Sequence, residues 1–121
     1  MTEIRVGTDI VEVSRINKLS EEYGASFFKH VFTDLEISWC QERKIPEMHL
    51  AGRFAAKEAV KKALLSSGEK NIPLKKIEIS RKKGCPPEAR IKANLNRNYV
   101  CHVSISHTSK LATAVAIVTP Q

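Results

Sequence analysis

The chain has 121 residues, 42% of them hydrophobic and 27% charged, a balance that excludes both a disordered polymer and a membrane-embedded protein. Lysine and arginine total 20 against 13 aspartates and glutamates, so the net charge of +7 points to an anionic substrate or partner. The length suits one domain over residues 1–121, and Cys40, Cys85 and Cys101 have neither metal spacing nor an even count, so a cytoplasmic protein with free thiols and no membrane attachment is expected.

Ile4 to Val13 read as a strand rich in Val, Ile and Thr, with Gly7, Asp9, Val11 and Val13 on its more apolar side. Ser14 is expected to cap a helix through Tyr23, and Phe27 to Phe32 to add another turn. Thr33-Asp-Leu-Glu36 has capping-box spacing and should open a helix running to about Arg43. Pro46 suits the first position of the longest helix, which Ser66-Ser-Gly68 should stop. On that helix Ala51, Phe54, Ala55, Glu58, Lys62 and Leu65 share a stripe, and small residues at 51, 55, 59 and 63 permit close packing. Leu74 to Ser80 and Ala89 to Ala93 are strand candidates around the turn Arg81 to Pro87. Val100 to Ser106 and Leu111 to Val118 should form a hairpin buried in a sheet. The expected fold is α/β of the α+β kind: a single compact domain, mainly antiparallel sheet packed against a long central helix.

Two carboxylates interrupt these apolar surfaces. Asp9 could bond within its strand, and Glu58 could pair with Lys62 four residues on, the favourable order along a helix. Taken together they suit Mg2+, which takes one or two protein carboxylates and fills its shell with water and substrate phosphate. Lys62 would then neutralise a phosphate oxygen, and Arg53 would hold a phosphate through paired hydrogen bonds or remain a solvated helix charge. His107, at the end of a strand, could donate to an anion or serve the turn alone. Lys75-Lys76 and Arg81-Lys-Lys83 read as solvated runs, since a nucleic-acid patch would interleave aromatics.

Three blocks, Gly7-Thr-Asp-Ile-Val-Glu12, Gly52-Arg-Phe-Ala-Ala-Lys-Glu-Ala-Val-Lys-Lys62 and Val103-Ser-Ile-Ser-His-Thr108, resemble the holo-[acyl-carrier-protein] synthases, the small bacterial type of 4'-phosphopantetheinyl transferase. Their identity, order and spacing cover essentially the whole chain. The resemblance implies the 4'-phosphopantetheinyl transferase fold and the transfer of 4'-phosphopantetheine from coenzyme A to a serine of apo acyl carrier protein. Adenosine 3',5'-bisphosphate is the other product, the reaction serves fatty acid biosynthesis, and Mg2+ is the cofactor, with Mn2+ as its alternative.

By the same resemblance Asp9 and Glu58 are the metal ligands and, with Lys62 on the pyrophosphate, the catalytic group; Glu58 is also the candidate acceptor of the serine proton. Arg53 and His107, joined by Lys44 and Thr108, match positions at the nucleotide end of coenzyme A and its 3'-phosphate. Gly84 and Pro86 mark a turn that touches coenzyme A from a neighbouring subunit; many relatives carry Lys between them, where this chain has Cys85, and Lys82 or Lys83 is the candidate replacement. Arg15 and Lys18 belong to the surface that takes the carrier protein. Subunits of this kind associate as homotrimers. The competing readings are a basic nucleic-acid-binding module, for which no fingerprint is present, and a metal-dependent phosphodiesterase, which often needs a second metal.

Overall fold

A computed structural model describes residues 3–121 and begins with β1 (Arg5–Glu12), in which Gly7 and Val11 are buried while Val6, Thr8 and Ile10 face outward. The helix α1 (Val13–Tyr23) follows without a break. Ser14 does not cap it: the preceding residue is Glu12, which makes no side-chain cap bond, and the Val13 amide instead donates to the Lys110 carbonyl at 2.8 Å. Gly24, with φ of 53°, separates α1 from α2 (Ala25–Val31). The expected capping box opens α3 (Asp34–Gln41), Thr33 Oγ1 accepting from the Glu36 amide at 3.3 Å and Glu36 Oε1 from the Thr33 amide at 2.8 Å. The longest helix, α4 (Pro46–Ser66, 21 residues), starts on proline as expected and ends before Gly68.

Leu74–Lys76 forms a 3-10 turn in which the Lys76 amide returns to the Pro73 carbonyl, so the strand expected from Leu74 begins only at Ile77. The strands β2 (Ile77–Ser80) and β3 (Glu88–Ile91) make a two-stranded antiparallel sheet. The hairpin of β4 (Tyr99–His107) and β5 (Leu111–Pro120) joins β1 in a three-stranded antiparallel sheet of order β1-β5-β4.

Helix α4 lies across one face of that larger sheet. Ala51, Ala55, Ala59 and Ala63 are fully buried, the close packing that their small side chains permit. Gly7 takes this approach to its limit: a Cβ there would stand 1.8 Å from the Ala59 carbonyl oxygen, so only glycine lets β1 meet α4 backbone to backbone. The other sheet face is left uncovered by the described residues. Val6, Ile10, Leu111, Val115 and Ile117 are exposed on it, and the hairpin is therefore covered on one side instead of being buried within the sheet.

Beneath α4 lies an ion pair with no solvent access, Lys57 Nζ donating to Glu36 Oε1 and to the Val31 carbonyl, while Glu36 Oε2 accepts from the Ile79 amide at 2.7 Å. Burial pulls the Lys57 ammonium below its ordinary pKa and Glu36 opposes that pull. Glu36→Ala strands this charge in the core, and urea unfolding should show a loss of about 3–5 kcal/mol. Replacing both residues, Glu36→Leu with Lys57→Met, should cost much less; equal losses would mean that shape, and not charge, sets the cost.

Candidate active site

Asp9 stands two residues beyond Gly7 on the strand face turned towards α4. Its side chain is 16% exposed, and its Oδ1 accepts from Lys62 Nζ at 3.2 Å; the same ammonium donates to the Thr8 carbonyl at 2.9 Å. Glu58 lies one turn before Lys62 and is the only residue between Leu50 and Val60 that escapes burial. Lys62 thus bridges to the strand instead of pairing with Glu58, and no cation neutralises Glu58 among the described residues. The two carboxylates lie on adjoining elements, one of them unpaired, and both are of the hard-oxygen type that Mg2+ takes. No group of three His, Cys, Asp or Glu side chains converges among the described residues, so water and ligand oxygens would complete such a shell.

A second group of side chains gathers at the other end of α4. Arg53 is 3% exposed, which removes its reading as a solvated helix charge. Its guanidinium carbon lies 3.8 Å from the centre of the Trp39 ring, and that of Arg43 lies 3.7 Å from the same centre. His49 sets its ring edgewise at 5.3 Å from Trp39 and equally at 5.3 Å from His107. Burial holds Arg53 below its ordinary pKa. Beside this group is a cleft of about 490 Å³ lined by Trp39, Arg43, Arg81, Lys82, Lys83 and Gly84, cationic on every side that carries charge.

The other expected residues occupy plainer positions. Lys44 is exposed on the link between α3 and α4. Thr108 closes the hairpin, its Oγ1 accepting from the amides of Lys110 and Leu111. Gly84, with φ of 73°, lines the cleft, and Pro86 is exposed two residues on. Arg15 and Lys18 are exposed on α1, away from its buried residues Val13 and Ile16. A larger cavity of about 590 Å³ lies at the start of this helix, between Glu12 to Asn17 and the turn Ser109 to Leu111. Sequence reasoning did not single out Trp39, Arg43 or His49. The one signal in the sequence was the four-residue spacing of His49 and Arg53, which places that pair on one face of α4; Arg43 lies beyond the end of α3, on the link to α4.

A family model described as the 4'-phosphopantetheinyl transferase superfamily matches residues 5–118. A holo-[acyl-carrier-protein] synthase of Protochlamydia amoebophila is 40% identical over 115 residues, spanning 93% of this chain and 94% of that relative. The fold is similar to an ACPS-CoA complex of Chronobacterium ammoniagenes, with a TM-score of 0.84 at 27% identity over 98% of each chain. It is also similar to Helicobacter pylori holo-[acyl-carrier-protein] synthase in complex with coenzyme A, with a TM-score of 0.79 at 30% identity over 93% of this chain and 98% of that one.

Burial, and then the charges of His107, Arg53, Arg43 and Arg81, keep His49 below its ordinary pKa. The folded chain therefore resists a proton that an unfolded histidine accepts, so this residue subtracts stability as pH falls below about 6.5. An anion in the cleft reverses the local field. Proton NMR of the histidine rings should show His49 titrating at higher pH once inorganic phosphate is added, and an unmoved titration would place the anion elsewhere.

Proposed function

The chain belongs to the 4'-phosphopantetheinyl transferase superfamily, and we propose that it moves 4'-phosphopantetheine from coenzyme A to a serine of apo acyl carrier protein, in support of fatty acid biosynthesis. The observation that carries the assignment of the reacting centre is the contact of Lys62 with Asp9 across α4 and β1, beside the unpaired carboxylate of Glu58. In the reaction the serine oxygen bonds to the pantetheine-side phosphorus of the pyrophosphate. The bond from that phosphorus to the bridging oxygen breaks, and the oxygen leaves on adenosine 3',5'-bisphosphate. Negative charge grows on phosphate oxygens, so positioned cations are the main source of acceleration.

Lys62, already held over Asp9, donates to a pyrophosphate oxygen, and Glu58, half-buried, takes the serine proton directly or through one water. Arg53 and His107, with Lys44 and Thr108, hold the nucleotide end, and the turn at Gly84 and Pro86 borders it. Asp9 and Glu58 would hold Mg2+, or Mn2+ in its stead; when bound, the ion neutralises charge on the pyrophosphate. Arg15 and Lys18 offer an exposed basic surface to the acidic helix of a carrier protein, an attraction that salt weakens. The three thiols are unpaired, Cys40 and Cys101 pushed up to about 11 by burial, which accords with a cytoplasmic enzyme; no helix among the described residues is long and apolar enough to cross a membrane.

Intact-mass spectrometry of apo acyl carrier protein, incubated with this protein, coenzyme A and Mg2+, should show the gain of one phosphopantetheine, abolished by chelation and reduced at least a hundredfold in rate by Asp9→Ala. Glu58→Gln separates the two roles of its carboxylate: turnover lost with metal affinity kept supports proton transfer, and unchanged turnover removes it. No mass gain with several carriers would return the phosphodiesterase reading.

The assembly is proposed to be a homotrimer, as the resemblance implies. What supports self-association is the bare sheet face, where Val6 is opposite Ile117 and Ile10 is 65% exposed. Sedimentation equilibrium should give three times the mass of the chain, and Ile117→Asp should reduce it to one. A monomeric wild type would overturn the assembly.

A further inference from the structure

Trp39 is the only tryptophan in the sequence, and a lone tryptophan beside a nucleotide cleft is ordinarily read as a platform for stacking a base. Both of its faces are already taken. Two guanidinium carbons within 3.8 Å of one ring centre cannot share a face without overlapping, so Arg43 and Arg53 lie on opposite sides of the indole. Their charges repel, and the ring spaces them while offering each a cation–π contact.

The three buried side-chain nitrogens that lack a hydrogen-bond partner among the described residues are Arg43 Nε, Arg53 Nε and Arg53 Nη2. All belong to this one stack. Guanidinium donors are costly to leave unmet, and an acceptor from outside the chain is the simplest way to meet them. Carboxylates do not supply it: Glu36, the nearest acidic group acting on Arg53, is committed to Lys57 and the amides of Thr33 and Ile79. His49 approaches the Trp39 ring from the side, and His107 in turn meets His49 edgewise. Arg43 and Trp39 also line the cationic cleft.

We infer that Trp39 is a positioning residue that holds Arg43 and Arg53 apart and orients their free donors to bind a phosphate monoester of the substrate nucleotide. The inference rests on the transferase reading for the identity of that nucleotide. Coenzyme A carries one phosphate monoester, on its ribose, and a pyrophosphate whose groups are each esterified; only the monoester presents three terminal oxygens and close to two negative charges to a pair of guanidinium groups. Selectivity for the phosphorylated ribose therefore depends on an indole whose two faces are taken by the guanidinium groups.

Emission from Trp39 reports this site alone and needs no turnover. Titration of the wild type with adenosine 3',5'-bisphosphate should change that emission at concentrations about tenfold or more below those needed with 3'-dephospho-coenzyme A, which has no phosphate monoester. Trp39→Leu should raise KM for coenzyme A about tenfold while leaving KM for 3'-dephospho-coenzyme A nearly unchanged, with little effect on kcat. Trp39→Phe, which keeps an aromatic spacer, should retain most of the discrimination. Emission that ignores the bisphosphate, or equal KM increases for the two cosubstrates, would overturn the inference. If Trp39→Leu fails to fold, the wild-type titration and Trp39→Phe decide it. If no carrier is modified, the enzymatic reading fails by itself and the titration still decides this one.

Discussion

The buried pair of Glu36 and Lys57 fixes the frame on which α2, α3, α4 and β2 meet and on which the cationic cleft is built. One carboxylate caps α3, accepts the Lys57 ammonium and accepts the amide of Ile79 in β2; the same ammonium reaches back to the last carbonyl of α2. Four elements are thereby tied at a point with no solvent. Such a pair contributes less through its own attraction than through the cost of breaking it, because every alternative packing leaves a charge unmet in the core. Trp39 follows Glu36 by three residues on α3, and Arg53 precedes Lys57 by four on α4. The stack of indole and guanidinium groups therefore inherits its geometry from the ion pair about one helical turn away.

The proposed reacting centre depends on a different closeness, that of strand to helix. Asp9 comes from β1 and Lys62 from α4, and their side chains meet because Gly7 lacks the Cβ that would hold those elements apart. The alanines at 55, 59 and 63 continue the close approach along the helix. Charge placement then follows from the packing: a lysine one turn beyond Glu58 finds the strand carboxylate nearer than its helical neighbour.

Features whose causes are local were legible in the sequence. The capping box at Thr33, the proline start of α4 and the existence of the β4–β5 hairpin each depend on residues within a few positions. Features decided by distant partners were not. Ser14 read as a cap, yet the chain satisfies the start of α1 from the hairpin carbonyl of Lys110, so no side-chain oxygen is required. Arg53 could be read as a solvated helix charge as well as a phosphate ligand, and Lys57 drew no reading, because nothing near them in sequence reveals Glu36 or Trp39. Of the site, Asp9 and Lys62 were legible as polar intrusions on apolar faces and are found in contact. The stack at Trp39 needed the third dimension, since its members come from α3, the link that follows it and α4.

The contact of Gly7 with the backbone of α4 bears on how this protein can change. Where two backbones touch, no intervening side chain can absorb a shift, and a substitution that swells α4 near Ala59 or Ala63 moves the Asp9 strand bodily against the helix that carries Glu58. Heat tolerance and turnover are then not independent traits in this part of the molecule; they are inherited together.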